Sequence, residues 1–302
     1  MAWFDLFDQW MKEHHPYIRI EKDADMKKYT SFRIGGAAKR MAFPHNEDAV
    51  AAVVEACSQA KTTYYVIGKG SNLLVSDAGL DYVIINMSEM DTISLRDDFK
   101  IYVQAGAALS RTAVQAQEAG YAGLAFAHGI PGSVGGAIMM NAGAYGGEMK
   151  QVVECVTALF PDGIRTLTSE QLHFGYRHSI FMEQPGVILS AVLRLKGGAP
   201  DEIRAEMDDY MARRKASQPL EYPSAGSTFK RPEGYFAGTM IDECGLKGTA
   251  VGGAEVSEKH AGFIINKDHA TFNDVISLIE IVQDTVYRTF GVELEPEVRI
   301  IQ

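Results

Sequence analysis

The chain has 302 residues, of which 46% are hydrophobic and 23% charged, and its formal net charge is -10. This length is enough for two or three compact units with a substantial core. The acidic balance argues against a general affinity for nucleic acid or anionic membranes, because both need a basic face. An anionic ligand would have to be held locally, by backbone N–H groups and a few placed cations.

The three cysteines are Cys57, Cys155 and Cys244. An odd number at wide, unrelated spacing suggests neither a disulfide framework nor a zinc site, so they are predicted to be reduced core residues and no metal is expected. The N-terminal residues carry acids inside their apolar pattern, which is not typical of a signal peptide. Since no apolar run approaches the roughly 20 residues of a membrane span, we expect a cytoplasmic protein.

In the first part of the chain, apolar spacing and breaker residues predict alternating helices and strands. Helices are expected over 2–11, 46–60 and 109–119, and strands over 38–43, 64–67, 81–86 and 100–105.

The strand predicted over 64–67 runs directly into Gly68, Lys69, Gly70, Ser71 and Asn72. Small, donor-rich residues at the end of a strand are a plausible phosphate cradle. The spacing fits neither GxxxxGK[ST] nor GxGxxG, so on its own the signal is weak.

A second short motif, KYTSFRIGGA, occupies residues 28–37. Thr30 and Ser31 offer hydroxyls and Arg33 a fixed cation, while Gly35 and Gly36 allow a tight turn. On these residues alone, a simple turn with a surface arginine is an equally good interpretation.

The stretch from Gly123 to Gly147, GLAFAHGIPGSVGGAIMMNAGAYGG, combines many glycines with almost no charge. Residues without a Cβ allow positive φ and let a ligand approach consecutive backbone N–H groups, as phosphates require. The alternative is a buried, turn-rich connection. Because the stretch is too long for a connection without function, we predict a binding loop.

The second part of the chain is predicted to begin with a hairpin over 152–160 and 164–167, which turns at Pro161, Asp162 and Gly163. A domain boundary is placed near Gly197. The remaining expected elements are a strand over 187–195, helices over 203–215, 236–244 and 271–290, and a terminal strand over 292–300 that a proline interrupts.

Taken together, six motifs resemble the signature series of the UDP-N-acetylenolpyruvoylglucosamine reductase family, in the family's order. They are TSFRIGG (30–36), GKGSN (68–72), HGIPGSVGGAIMMNAGAYG (128–146), GYRHSIF (175–181), PSAGSTFKRP (223–232) and LEPEVRI (294–300). They span nearly the whole chain.

The resemblance implies an α+β chain with an FAD-binding fold of the vanillyl-alcohol oxidase type. Two α+β subdomains, over 1–90 with the N-terminal helix and over 91–198, would hold the flavin. A C-terminal α+β domain over 199–302 would bind substrate and return its last strand to the active site. The family precedent is a cytoplasmic monomer with noncovalent FAD.

The resemblance also assigns a set of cofactor-binding residues. Most would line the FAD pyrophosphate and ribityl chain, while Thr30 and Arg33 are placed near the adenine-to-phosphate half. The set comprises Thr30, Arg33, Gly68, Lys69, Gly70, Ser71, Asn72, Gly129, Ile130, Pro131, Gly132, Ser133, Gly135, Gly136, Asn141, Ala142 and Gly143. His128 would be a hydrogen-bonding wall residue.

The implied reaction converts UDP-N-acetylglucosamine enolpyruvate to UDP-N-acetylmuramate for bacterial cell-wall synthesis. NADPH reduces the flavin, which passes hydride to the enolpyruvyl methylene carbon. Negative charge then develops on the substrate carboxylate and must be stabilised by a fixed positive charge. The forked guanidinium of Arg177 is suited to this role. The resemblance makes Ser227 the proton donor to the neighbouring carbon and Glu297 the acid beside it, whereas Glu295 is expected in water.

Substrate-binding roles are implied for Tyr176, which adds a phenolic donor, and for Lys230 at the UDP diphosphate, with Arg231 a further candidate. Longer family members carry an insertion whose tyrosine closes over the substrate. The stretch between Arg177 and Ser227 lacks it, so the chain resembles the shorter class, in which residues near Lys230 and Lys259 would cap the UDP.

Two other functions remain open at this stage. One is an FAD oxidase of the same fold that acts on an alcohol, which suits Arg177, Ser227 and Glu297 less well. The other is a flavin-binding interaction module without catalysis.

Overall fold

The computed structural model describes residues 2–302. The chain folds into two compact units, each built from separated stretches. The first unit runs from the N-terminal region to Lys22, from Arg40 to Lys69 and from Tyr82 to Arg213; the second contains Asp23–Lys39, Gly70–Asp81 and Arg214–Gln302. The division into three domains at residues 90 and 198 stays a prediction.

The described residues form seven α-helices and eighteen β-strands. The helices are α1 (Trp3–His14), α2 (Glu47–Gln59), α3 (Leu109–Glu118), α4 (Val134–Met139), α5 (Pro200–Ser217), α6 (Ala237–Glu243) and α7 (Phe272–Phe290). The strands are β1 (Arg19–Asp25), β2 (Ala37–Phe43), β3 (Tyr64–Ile67), β4 (Leu73–Val75), β5 (Leu80–Asn86), β6 (Ile93–Arg96), β7 (Lys100–Gln104), β8 (Tyr121–Ala122), β9 (Gly143–Ala144), β10 (Gly147–Glu148), β11 (Val153–Phe160), β12 (Gly163–Thr168), β13 (Val187–Arg194), β14 (Lys196–Gly197), β15 (Ala250–Val251), β16 (Ala254–Val256), β17 (Ile264–Asn266) and β18 (Arg299–Ile301).

Two larger sheets organise the strands. One is a four-stranded sheet in the order β1-β2-β5-β3, in which β3 and β5 are parallel. The other is a five-stranded antiparallel sheet in the order β12-β11-β13-β7-β6. In the hairpin between β11 and β12, Phe160 pairs with Gly163, whose φ of 123° suits a glycine. The predicted hairpin is confirmed.

Within the second unit, α7 packs its apolar face into the core, as its spacing predicts. The buried positions Val275, Leu278, Ile279, Val282 and Val286 recur at helical intervals. Thr271 caps the first turn in a capping box with Asp274, and Gly291 ends the helix in the left-handed conformation at φ 69°. A three-stranded sheet, β15-β16-β17, belongs to the same unit.

The C-terminal segment differs from the prediction of one long interrupted strand. Only Arg299–Ile301 forms a strand, which pairs in parallel with β4. Upstream, Pro296 has no N–H to donate and makes an isolated bridge with Phe229. Regular strand pairing in this segment is thus limited to Arg299–Ile301.

The glycine-rich stretch over 123–147 also contains more regular secondary structure than the predicted loop. It contains the helix α4 and the short hairpin β9–β10. The expected helices and strands over 2–11, 46–60, 64–67 and 109–119 are confirmed within a few residues.

Candidate functional site

In the first unit, the start of α4 lies against the end of β7. Ser133 caps the helix, and its Oγ accepts a hydrogen bond of 3.4 Å from the Gly136 N–H. The Gly135 N–H donates to the Ala105 carbonyl at 2.8 Å. A Cβ on Gly135 would lie 2.9 Å from the Ala105 Cβ, so this glycine permits the close approach of helix and strand.

Gly68, at the end of β3, lies against the same capping serine. A Cβ on Gly68 would be 1.9 Å from the Ser133 Oγ, a distance that allows no side chain. The structure therefore brings the beginning of the GKGSN motif to the N-terminus of α4, where backbone N–H groups carry a partial positive charge. The family resemblance predicts that both elements line the FAD pyrophosphate and ribityl chain.

His128 precedes this helix and has an unusual polar atom. Its Nδ1 is buried and finds no hydrogen-bond partner among the described residues. Burial lowers the pKa of His128 below its usual value; nearby Arg204 lowers it further and Asp208 raises it. A buried, unpartnered ring nitrogen fits a site in which a polar ligand completes the hydrogen bonding.

In the second unit, the TSFRIGG motif contacts the later residues of GKGSN. The Ser31 N–H donates to the Gly70 carbonyl at 3.2 Å, and a Cβ on Gly70 would lie 2.0 Å from the Tyr29 carbonyl oxygen. Thr30 is buried and its hydroxyl donates to Ile34 O at 3.5 Å, whereas Arg33 is exposed with φ 56°. The structure thus brings together two motifs that lie far apart in the sequence.

Asn72 joins this group to the C-terminal segment. Its Nδ2 donates to the Glu297 carbonyl at 3.1 Å, and its own carbonyl accepts from the Arg299 N–H at 2.9 Å. The amide side chain therefore anchors the segment that carries Glu297, in addition to any cofactor contact predicted for it.

The predicted proton donor and its acidic neighbour lie on two paired segments of the second unit. The Glu297 N–H donates to the Thr228 carbonyl at 2.7 Å, next to Ser227 in the chain. Ser227 and Glu297 are both half-buried, and the Ser227 Oγ donates to Phe229 O at 3.2 Å. The structure brings these two predicted catalytic residues into one local element.

The cations assigned to the UDP have acidic or aromatic neighbours. Lys230 forms an ion pair with Glu295, whose side chain is 69% exposed, as expected for an acid in water. The Arg231 guanidinium lies 3.8 Å from the Phe236 ring centroid, and Lys259 pairs with Glu221 at 3.6 Å.

Arg177 belongs to the first unit, where it occupies the tip of a tight turn. Gly175 and His178 exchange backbone hydrogen bonds of 3.1 and 3.3 Å across the turn. Arg177 has φ 53°, and its guanidinium lies 5.2 Å from the Tyr176 ring centroid. The Tyr176 side chain is 55% exposed at the tip of the turn, whereas Arg177 is half-buried.

Two buried polar residues attach this turn to the end of α4. The Asn141 Nδ2 donates to Gly175 O at 2.9 Å, and the Ser179 hydroxyl donates to Met139 O at 2.8 Å. Sequence reasoning assigned Asn141 to the cofactor and gave Ser179 no role. The presence of Ser179 in the GYRHSIF motif was the only sequence signal for it.

Comparisons with known proteins match both parts of the chain. Residues 38–168 match the profile of an FAD binding domain. Residues 218–301 match the C-terminal domain of UDP-N-acetylenolpyruvoylglucosamine reductase. A protein of that name from Limosilactobacillus reuteri is 49% identical over 287 residues, which cover 95% of this chain and 96% of the relative.

The chain belongs to the UDP-N-acetylenolpyruvoylglucosamine reductase family. A second member, from Clostridium novyi, is 47% identical over 93% of this chain and 92% of its own length. The crystal structure of the Thermus caldophilus reductase superimposes with a TM-score of 0.83 at 35% identity, covering 95% of this chain and all of that one. The predicted family is confirmed, as is its α+β fold with an FAD-binding domain.

Within residues 2–302, every helix is too short or too polar to cross a membrane.

Proposed function

We infer that this chain is an FAD-dependent reductase that converts UDP-N-acetylglucosamine enolpyruvate to UDP-N-acetylmuramate in peptidoglycan precursor synthesis. Family membership over nearly the full length supports this function. The structural observation that carries the inference is the pairing of the Ser227 and Glu297 segments through the Thr228 carbonyl. NADPH is the proposed hydride donor.

The residues of the first unit fit a bound flavin dinucleotide. The buried Nδ1 of His128 has no protein partner among the described residues, and Gly68, which lacks a Cβ, lies directly against the Ser133 side chain at the start of α4. Lys69 is exposed next to Gly68, where its ammonium would face a pyrophosphate. When bound, FAD supplies the hydride that it has taken from NADPH.

The proposed cofactor contacts remain those of the sequence prediction. Three of them have a second, structural duty: Gly135 packs on Ala105, Asn72 holds the Glu297 segment and Asn141 holds the Arg177 turn. The donors of the Asn141 side chain are both engaged, by Gly175 O and by Glu148 Oε2. We therefore propose that Asn141 supports cofactor binding indirectly, by holding the neighbouring segments in place.

Arg177 is proposed to bind the substrate carboxylate. As hydride reaches the methylene carbon, negative charge spreads into that carboxylate, and a fixed guanidinium stabilises it more in the transition state than in the ground state. Tyr176, at the tip of the same turn, would add a phenolic hydrogen bond. Lys230, with Glu295 as its present partner, would exchange that exposed ion pair for the UDP diphosphate.

Ser227 is proposed to protonate the carbon next to the one that receives hydride. A serine hydroxyl is a weak acid, so it serves only a strongly basic centre and only when held in place. Its hydrogen bond to Phe229 O orients the hydroxyl before substrate arrives. Glu297 is held beside it by its own backbone N–H and would support the proton transfer.

The proposed function is tested by an anaerobic titration of the purified holoprotein. NADPH is expected to bleach the yellow flavin, and UDP-N-acetylglucosamine enolpyruvate is expected to restore the colour in stoichiometric amount. Bleaching without recovery on substrate would disprove the reductase. Bleaching by an alcohol instead of NADPH, with the colour restored by O2, would indicate an oxidase, and a flavin that neither NADPH nor an alcohol reduces would indicate a binding module.

Two further properties are proposed on the family precedent alone. The enzyme would act as a monomer, which sedimentation velocity would test. It would work in the cytoplasm, where its nucleotide-linked substrates are made.

A further inference from the structure

The turn that carries Arg177 has a backbone conformation that this residue rarely adopts. Gly175 and His178 close a four-residue turn in which Arg177 is the third residue, with φ 53°. That position favours glycine or asparagine, because a Cβ is crowded there. A residue held in such a conformation persists only when its surroundings enforce it.

The surroundings enforce it from both ends of the turn. On the N-terminal side, Gly175 O accepts a 2.9 Å hydrogen bond from Asn141 Nδ2. On the C-terminal side, the Ser179 Oγ donates a 2.8 Å bond to Met139 O. Asn141 is 1% exposed and Ser179 is fully buried, so water competes with neither bond.

Both anchors end on the same short segment, where α4 terminates. Met139 is the last residue of α4, and its carbonyl is one of those that a helix end leaves without an internal partner. Asn141 follows two residues later with φ 40°, a conformation that asparagine tolerates. Its Oδ1 accepts from the Lys150 N–H at 2.9 Å, which fixes the orientation of the amide.

We propose that Asn141 and Ser179 are positioning residues for catalysis, which clamp the Arg177 turn onto the end of the glycine-rich helix α4. The clamp fixes the turn relative to the segment that begins at the capping Ser133. Neither residue needs to touch substrate. The inference rests on the proposed role of Arg177, since the clamp acts through that side chain.

The primary test is Ser179→Ala, which removes one anchor with little change in volume. The two half-reactions are followed separately by anaerobic stopped flow, and the affinity for the product UDP-N-acetylmuramate is measured by calorimetry. We expect flavin content and reduction by NADPH to change by less than about twofold. Reoxidation by substrate should slow by about tenfold or more, because small displacements of a charge-stabilising group are costly, and product affinity should fall in parallel.

A matched control is Ser190→Ala. Ser190 is a buried serine of the same unit, 3% exposed, whose hydroxyl lies 3.4 Å from Glu47 Oε1. Ser190→Ala should show any general loss of stability caused by removing a buried serine hydroxyl, but it should not selectively slow reoxidation of the flavin by substrate. Asn141→Ala provides a second removal of the clamp and should slow reoxidation by substrate as Ser179→Ala does, with the rate expressed per bound flavin because Asn141 also belongs to the proposed cofactor-binding set.

A double substitution tests whether Ser179 affects reoxidation through Arg177. In an Arg177→Ala background, adding Ser179→Ala should slow reoxidation by less than about twofold, since the clamp has nothing left to position. The clamp would be disproved if Ser179→Ala slowed reoxidation as much in the Arg177→Ala background as in the parent. It would also be disproved if Ser179→Ala and Ser190→Ala slowed reoxidation equally. If Arg177→Ala itself left reoxidation unchanged, the proposed role of Arg177 would fail instead, and the two failures are distinguishable.

Discussion

The backbone N–H of Glu297 donates a 2.7 Å hydrogen bond to the carbonyl of Thr228. This bond places the Ser227 segment and the Glu297 segment side by side, and Lys230 N–H extends the pairing to the Glu295 carbonyl at 2.8 Å. Backbone bonds hold this arrangement, so side-chain substitutions at Ser227 leave the pairing itself intact.

Ser227→Ala should therefore separate chemistry from folding. The hydroxyl makes one hydrogen bond, to Phe229 O, so its loss costs about 1 kcal/mol of unfolding free energy at most. Flavin reduction by NADPH should stay near normal, and flavin reoxidation by substrate should slow by about a thousandfold, as expected when a general acid is removed. Stopped-flow traces of the two half-reactions provide the measurement. Equal loss in both would exclude proton donation as the role of Ser227.

Gly136→Ala tests the cofactor assignment without disturbing the fold. A Cβ at Gly136 would meet only the Ser133 Oγ, at 3.5 Å, and alanine inside a helix is more stable than glycine by about 0.5–1 kcal/mol. The apoprotein should thus be as stable as the parent or more so, while FAD affinity falls because the added methyl group occupies cofactor space. Absorbance spectra of purified protein and FAD titration of the apoprotein measure this.

Gly135→Ala is the contrasting variant for that experiment. Its Cβ would lie 2.9 Å from the Ala105 Cβ, so stability and flavin content should fall together. Full flavin occupancy in Gly136→Ala would remove Gly136 from the cofactor site.

The pair formed by Asp8 and Arg40 should stabilise the attachment of α1. Two bonds of 2.6 and 2.8 Å join the side chains, and that of Arg40 is only 7% exposed. Breaking a buried pair on one side leaves an uncompensated charge, so Asp8→Asn should lower the unfolding free energy by about 3 kcal/mol. Urea unfolding of parent and variant at pH 7 gives the difference. Asp23→Asn, which breaks an exposed pair with Lys39, should change it by less than about 0.5 kcal/mol.

The same pair predicts a pH dependence. Burial raises the pKa of Asp8, but hydrogen bonds from Arg40 and Lys22 outweigh it and hold the pKa below the usual value of 3.8. A lowered native pKa contributes stability above the ordinary pKa, and this contribution is lost as the pH falls through the native one. The difference between parent and Asp8→Asn should therefore shrink below about pH 4. A difference that stays constant from neutral to acid pH would contradict the assigned ionisation.

The Cys57 thiol should be unreactive towards alkylating reagents in the folded protein. It is buried, and burial raises the pKa of its thiol to about 12, so almost no thiolate forms at pH 8. Iodoacetamide should alkylate the half-buried Cys155 and Cys244 first, and Cys57 only after denaturation. Peptide mass spectrometry after timed labelling identifies the modified residues. Early labelling of Cys57 would show that its helix, α2, opens readily.

The sequence by itself determined the elements whose signals are local. The helix predicted over 271–290 forms as α7, with Thr271 as its cap and Gly291 at its end, because capping and the left-handed glycine depend on neighbouring residues only. The strand over 64–67 ends at Ile67 and leads into Gly68 as its apolar run indicates. Six motifs in order were sufficient to identify the family.

Tertiary structure decided what depends on contacts between distant segments. Helix α4 lies within the stretch predicted as a binding loop. Glycine is a poor helix former, so the local sequence gives little signal for this helix, and the bond from the Gly135 N–H to the Ala105 carbonyl supports it. The hydrogen bonds that join Glu297 to Thr228 and Asn141 to Gly175 leave no periodic signal in the sequence. Their register is set by how whole segments pack, and packing energy is a property of the folded chain rather than of any local run of residues.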